Sequence, residues 1–195
     1  MKEKRFIIED RVRCSWCGSD ELYVKYHDEE WGTPVHDDRR HFEFLVLESA
    51  QAGLSWITIL RKRKNYKKAY DDFDVRKVSN YDQTKYNELI QNNGIVKNKA
   101  KISASINNAK CFLKIQEEFG SFDKYIWSFT NNRPVVNGWN SISELPARSE
   151  LSDRVSSDLK ARGFRFLGSI IIYAYLQATG LVNDHITKCF RHDTI

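Results

Sequence analysis

Apolar residues recur along most of this chain at the spacing of helices, and no run alternates convincingly as a half-buried strand does. One strongly apolar stretch follows Asp37 and Asp38, either of which can cap a helix that runs to about residue 52. Its apolar positions include Phe42, Phe44, Leu45, Val46 and Leu47. Because this helix has almost no polar face, we expect it to be buried at the centre of the fold.

The chain after this helix continues in helical segments. Gly53 stands where a glycine commonly ends a helix, and Ser55 can cap the next one, which begins at Trp56. That helix becomes strongly basic from Arg61 to Lys68, a pattern typical of a solvated face. Further helices are predicted at 82–91, from about 99, and near 122–129, 150–162 and 169–179, with a loop at 131–148. The pattern therefore predicts an all-α fold with eight or so short helices.

Length and composition narrow the class of protein. The 195 residues suit a single domain spanning residues 1–195, in which two helical lobes can share a core and residues 1–12 form a flexible extension. Hydrophobic residues make up 41% of the chain, which excludes the disordered class. No apolar run reaches the roughly 20 residues of a membrane span, and no signal-peptide segment is present. We therefore expect a soluble, cytoplasmic protein, and a monomer because no spare apolar face is evident.

Charge allows a polyanionic partner without requiring one, since the net charge is +5 from 31 basic and 26 acidic residues. The segment around Gly94, between two predicted helices, is a candidate anion contact. In a helix-hairpin-helix element, such a joint directs backbone N–H groups at a DNA phosphate. Lys97, Lys99 and Lys101 add positive charge there. On spacing alone, a plain helix connection remains the commoner arrangement.

Cysteine and histidine residues concentrate near both ends of the chain. Cys14, Cys17 and His27 lie near the amino terminus, and His185 and Cys189 lie near the carboxyl terminus. The spacing of His185 and Cys189 lets both reach one ion from a single helical turn, and two ligands from each end would complete a tetrahedral zinc site. The amino-terminal pair stays open, because Cys14 with Cys17 is the commoner ligand spacing and Cys14 with His27 is the alternative. Buried thiols and incidental histidines compete with this interpretation.

Glu48 is a carboxylate on an apolar stripe, in the last turn of the predicted central helix, where the helix dipole opposes its charge. Burial there costs free energy unless a partner satisfies the charge. The partner is either an Arg or Lys elsewhere in the chain, or a ligand that donates hydrogen bonds or carries positive charge. Tyr23, Tyr26 and Trp56 can supply flat stacking walls for such a ligand, although core packing is the usual role of such rings.

Longer motifs run through the chain from about Cys14 to Cys189. They include Arg13-Cys14-x-Trp16, Leu22-Tyr23, Tyr26-His27-Asp28-Glu29-Glu30-Trp31-Gly32, Leu47-Glu48, Gln51-Ala52-Gly53-Leu54-Ser55-Trp56-Ile57-Thr58, Gly94-Ile95-Val96, Lys101-Ile102, Trp127-Ser128-Phe129, Arg162-Gly163-Phe164-Arg165-Phe166-Leu167-Gly168 and Gln177-Ala178-x-Gly180-Leu181-Val182-Asn183-Asp184-His185. Together they resemble the motifs of the bacterial 3-methyladenine DNA glycosylase I family. Motifs of this length and number are highly specific.

The resemblance implies an all-α fold of the helix-hairpin-helix DNA glycosylase superfamily. It also implies that N3-methyladenine is flipped out of double-stranded alkylated DNA and hydrolytically excised, with free 3-methyladenine as product. No lyase step is expected, because the family looks to lack the catalytic Asp that other superfamily members carry. A structural zinc is implied at the positions matching Cys14, His27, His185 and Cys189, which would tie the amino- and carboxyl-terminal segments together.

The resemblance also assigns roles to particular residues. The base-recognition positions of the family map onto Tyr23, Tyr26, Glu48 and Trp56, with Glu48 reading the base edge and serving as the residue on which catalysis depends. Leu54 is a candidate wedge that fills the gap left by the flipped base. Gly94, Lys97 and Lys99 are the expected contacts to the DNA backbone.

The chain departs from the family at Ser49 and Ala50, where the family often has Gly and Gln. We expect these two residues to alter the pocket wall, and hence the breadth of substrates rather than the reaction. Two other classes compete with the glycosylase. A DNA-binding module without chemistry would not need Glu48. A metallohydrolase would need a zinc ion with an open position, which four Cys and His ligands disfavour.

Overall fold

The computed structural model describes residues 11–194, and α-helices dominate this part of the chain. In chain order, α1 to α9 are Glu21–Glu29, Asp38–Gln51, Trp56–Ala69, Val75–Ser79, Gln83–Gln91, Lys99–Phe119, Phe122–Ser128, Glu150–Ala161 and Ser169–Ala178. Short 3-10 turns lie at Ser15–Cys17, Asp71–Phe73, Ile142–Glu144 and His192–Thr194. The prediction of a mainly helical fold is confirmed. Within residues 11–194, no helix combines the length and the apolarity that crossing a membrane requires.

The central helix α2 forms as the apolar pattern predicts. The Asp37 carboxylate caps it by accepting a hydrogen bond from the backbone N–H of Arg40 at 2.9 Å. Every residue from His41 to Ala50 is buried, and α2 packs against α3, α6, α7 and α9. A charged side chain in the last two turns of α2 is therefore also buried.

The joint between α2 and α3 depends on a glycine. Gly53 has a φ of +81°, in the left-handed region that glycine enters without steric cost, so its predicted role at the helix end is confirmed. The predicted Ser55 cap does not form through its side chain, because the Ser55 hydroxyl pairs with the Thr58 hydroxyl at 2.8 Å instead. Leu54, between them, has an exposed side chain.

Two small elements escape the sequence patterns. α4 has only five residues, too few to show a helical period, and Asp74 begins it by capping two backbone N–H groups. A parallel strand pair joins β1 (Val135–Val136) to β2 (Val182–Asn183), with Val135 opposite Val182. Two residues cannot display an alternating pattern, so the sequence contains no signal for this pair. The pair anchors the segment that leads into His185.

The basic run Arg61 to Lys68 is only partly a solvated face. The Arg63 guanidinium is largely buried and donates to Glu43 at 2.7 Å and to Glu30 at 2.9 Å. The expectation of a solvated face was therefore wrong for Arg63, because carboxylates from α2 and from the residue after α1 meet it. These ion pairs hold α3 against both neighbours.

The two ends of the described chain meet. Of the predicted extension 1–12, residues 1–10 lie outside the described residues, and the Val12 carbonyl accepts a hydrogen bond from the Phe190 backbone N–H at 3.0 Å. Buried residues form one hydrophobic core that extends from Cys14 to Cys189. The cysteines and histidines from the two ends are thus neighbours at one side of this core.

Candidate active site and metal centre

Glu48 lies in the last turn of α2 with only 3% of its surface exposed. Burial alone raises the pKa of its carboxyl to about 8, since no charged neighbour offsets the loss of solvation. Within residues 11–194, no Arg or Lys forms an ion pair with this carboxylate. The structural ion pair considered as an alternative role is therefore not formed, and Glu48 retains its capacity to accept hydrogen bonds.

Glu48 lines a cavity of about 180 Å³ walled mainly by aromatic rings. The rings of Tyr26 and Trp56 are 5.4 Å apart, and those of Trp16 and Tyr23 are 5.0 Å apart. The complete lining is Trp16, Tyr23, Tyr26, Trp31, Glu48, Gln51, Trp56, Leu145, Ala174 and Gln177. Aromatic faces attract cations, and a carboxylate accepts hydrogen bonds. The cavity therefore favours a flat ligand that is positively charged or rich in donors.

Two indole N–H groups in the cavity wall lack partners. The Nε1 atoms of Trp16 and Trp56 are buried, and neither has a hydrogen-bond acceptor in the part of the chain that the structure describes. A buried donor left unpaired costs about 1–3 kcal/mol. Because both indoles line the cavity, an acceptor atom on a bound ligand or a water would relieve this cost. The wall thus offers an acceptor at Glu48 and contains two tryptophans whose buried N–H groups are unpaired.

The predicted metal ligands Cys14, His27, His185 and Cys189 are buried and lie together, with their donor atoms within 4.8 Å of one another. The Cys189 Sγ is 3.4 Å from His185 Nδ1 and 3.5 Å from His27 Nε2. Cys17 lies outside this group, because its thiol donates to the Cys14 carbonyl at 3.2 Å. The alternative in which Cys14 and Cys17 share the ion does not fit this arrangement.

Hydrogen bonds fix the orientation and the tautomer of both imidazoles. In each ring the nitrogen on the side of the thiols carries no hydrogen. The Cys14 backbone N–H donates to His27 Nε2 at 3.3 Å, so the hydrogen of this ring is on Nδ1, 2.7 Å from an Asp28 carboxylate oxygen. His185 Nε2 donates to the Trp31 carbonyl at 3.0 Å, which leaves Nδ1 as an acceptor. Metal-bound histidines are held by outer hydrogen bonds of this kind.

The chemistry of these four donors fits a closed metal site. The hydrogen bond between the two thiols is the largest cause that raises the pKa of Cys14, and the same hydrogen bond is the largest cause that lowers the pKa of Cys189. One thiolate thus forms readily, and a metal ion would displace the proton of the other. Two sulfur and two nitrogen donors are the set that tetrahedral zinc takes in structural sites. The cluster could therefore hold a metal ion.

Comparison with known proteins places the chain in a family. Residues 16–192 match the family model described as methyladenine glycosylase. DNA-3-methyladenine glycosylase 1 of Escherichia coli (strain K12) is 44% identical over 177 residues, covering 91% of this chain and 95% of that protein. The chain belongs to the methyladenine glycosylase family.

Solved structures agree with this assignment to the methyladenine glycosylases. A crystal structure of 3-methyladenine DNA glycosylase I superposes with a TM-score of 0.90 at 43% identity, covering 93% of this chain and all of that one. A 3-methyladenine DNA glycosylase I from Staphylococcus aureus, solved for its recognition of 3-methyladenine, superposes with a TM-score of 0.89 at 36% identity, covering 92% and 96%. The chain is therefore an enzyme of the glycosylase class.

In this methyladenine glycosylase, one cavity collects all four residues for which base recognition is predicted. Tyr23 and Tyr26 come from one face of α1, Glu48 from the last turn of α2, and Trp56 from the first residue of α3. Leu54 lies outside the lining, on the turn between Gly53 and Ser55. The helix joint thus supplies the carboxylate, one ring and an exposed apolar side chain within nine residues.

Part of the cavity wall was not predicted from the sequence. Trp16 and Trp31 lie in a segment rich in aromatic residues, a signal that could have found them. Leu145 comes from the loop after β1, and Ala174 and Gln177 come from α9. Nothing in their local sequence marks these three, because they reach the cavity only through tertiary packing; for Ala174 and Gln177 this is the packing of α9 against α2.

Gln177 is held in place by a fully buried carboxylate. Its Nε2 donates to Asp184 Oδ2 at 2.6 Å, and Tyr173 donates to the same oxygen at 2.5 Å. Asn137 and Trp139 each donate to Asp184 Oδ1 at 2.7 Å. Because the Gln177 NH₂ donates to Asp184, the amide keeps its Oε1 as an acceptor.

Ser49 and Ala50, the departures from the family pattern, do not line the cavity. The Ser49 hydroxyl instead donates to the Phe166 carbonyl at 3.3 Å. The Ala50 carbonyl accepts a hydrogen bond from the Lys101 ammonium at 2.9 Å. The expectation that these residues alter the pocket wall was wrong, because the last turn of α2 directs them toward neighbouring segments.

The predicted anion-contact joint connects α5 to α6 over residues 92–98. A Cβ added at Gly94 would approach the Asn65 Cβ to 3.0 Å, so close packing requires glycine here. Lys97 is exposed and donates to the Asn93 side chain at 2.6 Å, and Lys99 is exposed in the first turn of α6. These positions leave both ammonium groups accessible to an anion.

Lys101 connects this joint to the end of α2. Its ammonium donates to the carbonyls of Ala50 at 2.9 Å and Ala52 at 2.6 Å, two of the orphan acceptors at the end of a helix. Partial burial lowers the pKa of Lys101. The first turn of α6 therefore fixes the turn that carries Gly53 and Leu54.

Proposed function

We propose that this chain excises N3-methyladenine from double-stranded alkylated DNA, by hydrolysis of the N-glycosidic bond, in base excision repair. The observation that carries the proposal is Glu48, a buried carboxylate without an ionic partner in a cavity walled by aromatic rings. The relatives bear the name of this activity, which supports the same substrate. Burying a carboxylate without a partner destabilises the fold, and a cationic base in the cavity would supply that partner.

The cavity would recognise the base in three ways. Tyr23, Tyr26 and Trp56 present ring faces, and each well-placed ring stabilises a cation by roughly 0.5–2 kcal/mol. Glu48 accepts hydrogen bonds from the adenine edge. A cationic base also supplies the positively charged partner that the Glu48 carboxylate lacks within the protein. The unpaired indole N–H of Trp16 would meet an acceptor nitrogen of the base. Bases with a different order of donors and acceptors leave these groups unsatisfied.

The reaction needs little acid catalysis. N3-methyladenine carries a positive charge in DNA, so it leaves without prior protonation, and water attacks the anomeric carbon. Glu48 reads the identity of the base, and its negative charge would favour the positive charge that passes from the base to the sugar as the glycosidic bond breaks. Among the described residues, those that line the cavity include no lysine, so no amine is placed to form a Schiff base. The enzyme would therefore be monofunctional, without lyase activity.

DNA would be held around the cavity rather than within it. Flipping the target nucleotide costs a few kcal/mol, and the exposed Leu54 would fill the gap that the base leaves. Gly94, Lys97 and Lys99, on the joint between α5 and α6, would contact the phosphate backbone without reading sequence. The arrangement of this joint between two helices supports such a helix-hairpin-helix role.

Zinc would have a structural role. Cys14, His27, His185 and Cys189 would hold it with four protein ligands, which leaves no open position for a catalytic water. A bound ion would join the amino-terminal segment to the residues after β2. It would thereby fix Trp31, whose carbonyl accepts a hydrogen bond from His185, in the cavity wall.

Release of free 3-methyladenine from methylated duplex DNA tests the proposal. The wild type should release the base, whereas Glu48→Gln should fold and lose most of the activity. Glu88→Gln, which changes an exposed carboxylate of α5, is the matched control and should retain full activity. Near-normal release by Glu48→Gln would overturn the role of Glu48.

The same assay separates the two rival functions. A DNA-binding module would bind methylated and unmethylated duplex equally and release no base. A metallohydrolase would stop as soon as a chelator removes its ion, while its fold remains intact. The proposed glycosylase should instead lose activity only in step with its folded structure, followed by circular dichroism.

A further inference from the structure

The loop between α8 and α9 carries an aromatic side chain on an uncommon backbone. Phe166 has a φ of +59°, in the left-handed region, where a bulky residue other than glycine is an outlier. Its side chain is 41% exposed, so burial does not fully account for its position. Strained residues of this kind persist only when the surroundings hold them, and they concentrate at functional sites.

Hydrogen bonds from three other segments hold this loop. Side chains of α2, α6 and α8 bond to the backbone of four of its residues. The bonds are Asn107 Nδ2 to the Gly163 carbonyl at 2.8 Å, Asn108 to the Arg165 N–H and carbonyl at 2.8 and 2.9 Å, Ser49 Oγ to the Phe166 carbonyl at 3.3 Å, and Ser156 Oγ to the Leu167 carbonyl at 2.8 Å. The loop therefore presents Phe166 in a fixed position.

Phe166 lies beside the last turn of α2, which carries Glu48 of the cavity. Its carbonyl contacts Ser49, in the last turn of α2, five residues before the exposed Leu54. A groove of about 980 Å³ has both Gly53 and Gly168 in its lining. The groove and the cavity share four lining residues, Gln51, Leu145, Ala174 and Gln177. Leu54 and Phe166 thus lie one and two residues along the chain from lining residues of a groove that adjoins the cavity.

The charge beside Phe166 indicates its partner. Arg165 is exposed, and its guanidinium forms no ion pair with any carboxylate of residues 11–194. An exposed ring next to an unpaired cation suits nucleic acid, in which a base face can stack on the ring while a phosphate meets the cation. The groove adjoins the cavity, so this partner is the same DNA whose base the cavity would take.

We infer that Phe166 is a second apolar contact to duplex DNA, in addition to Leu54, and packs on bases unstacked when the modified nucleotide leaves the helix. This inference rests on the proposed function, which supplies the flipped nucleotide. Arg165 contacts a neighbouring phosphate. The Ser49 hydroxyl, at a position where the family often has glycine, helps to fix the loop that carries the ring.

Affinity for a duplex that contains a stable abasic-site analogue tests the inference, measured by fluorescence anisotropy at one salt concentration. Phe166→Ala should bind about tenfold more weakly, the size of effect typical when a stacking ring is removed. Phe166→Asn should behave alike, and asparagine tolerates the left-handed backbone, so this variant keeps the fold. Phe166→Tyr keeps the ring and should bind as the wild type does.

Two controls isolate the DNA surface. Leu22→Ala removes an apolar side chain of similar exposure, 42%, from α1, and should leave DNA affinity unchanged. Binding of free 3-methyladenine, followed by tryptophan fluorescence, should be unchanged in Phe166→Asn, because Phe166 does not line the cavity. The Tm of Phe166→Asn should not fall below that of the wild type.

Unchanged affinity of Phe166→Asn for the abasic duplex would overturn the inference. So would an equal loss of affinity for the duplex and for free 3-methyladenine, since that result shows a general support of the site. If the wild type releases no base while Phe166→Asn still loses affinity for the abasic duplex, the proposed function fails and the DNA surface stands. If the wild type releases the base and Phe166→Asn binds normally, only the inference fails.

Discussion

Replacing Glu48 with glutamine should stabilise the protein while it removes most of the base release. The two side chains have almost the same shape, so the substitution removes the ionisable group and little else. Glu48 is buried without an ionic partner among residues 11–194, and its pKa is raised to about 8. A group kept for a ligand at the expense of the fold should show both effects in one variant.

The magnitude follows from the two pKa values. The unfolded carboxyl titrates near 4.5 and the folded one near 8, so the folded protein holds a proton that the unfolded chain has lost between these values. Below pH 4.5 both states are protonated and Glu48 imposes no penalty. As pH rises toward 8, the penalty grows by about 1.4 kcal/mol for each pH unit, and it reaches roughly 3 kcal/mol at pH 7.

Urea unfolding of the wild type and Glu48→Gln at several pH values between 5 and 8 measures this penalty. The difference in unfolding free energy should increase steadily with pH in favour of the variant and level off above about pH 8. A glutamine amide left unpaired shifts all differences by one constant and does not alter their trend. Glu88→Gln makes the same chemical change at an exposed position and serves as the control for the substitution itself.

The activity of the wild type should rise over the same pH range in which its stability falls. The ionised carboxylate is the form that pairs with a cationic base, so kcat/KM for base release should rise with pH and level off above about 8. If the difference in stability between wild type and variant stays constant from pH 5 to 8, Glu48 has an ordinary pKa and the reasoning is refuted.

Three further predictions concern the metal, the helix end and the DNA joint. Cys189→Ser should lose bound zinc, measured by elemental analysis, and its Tm should fall by at least about 5 °C; a stable, zinc-free and fully active variant would show that the metal site is misread. Lys101→Met removes two hydrogen bonds to the carbonyls that end α2, so we expect a loss of about 2 kcal/mol in urea unfolding, against no loss for the exposed Lys99→Met. An equal loss in both variants would refute that role. The double change Lys97→Ala, Lys99→Ala should weaken binding to methylated and unmethylated duplex alike and reduce the slope of log Kd against log salt by about 1.8; an unchanged slope would place the phosphate contacts elsewhere.

The sequence predicts those parts of the fold that depend on local pattern. α2 and α6 carry apolar residues at helical spacing over several turns, and the structure confirms both. Elements that depend on distant partners leave no such pattern. Arg63 is buried because Glu30 and Glu43 meet it from two other segments, whereas its own neighbours in sequence indicate a solvated face.

The candidate site divides in the same way. Glu48 is conspicuous from sequence alone, because a carboxylate in an apolar helix end contradicts its local surroundings. Gln177 is not, since its position in the cavity wall depends on Asp184, and Asp184 depends in turn on donors from the loop after β1. Phe166 is unremarkable in sequence, because its backbone angle exists only in the folded loop.

The candidate metal site and the cavity share segments of the chain, so an ion bound at the site would also affect the base pocket. Asp184, which fixes Gln177, directly precedes the candidate ligand His185. The Nε2 of His185 bonds to the carbonyl of Trp31, a residue of the cavity wall. An ion that orients His185 thus also constrains two sides of the cavity. Loss of the metal should therefore weaken base recognition in step with the loss of folded structure, because the same hydrogen bonds hold the terminal segments and the cavity wall.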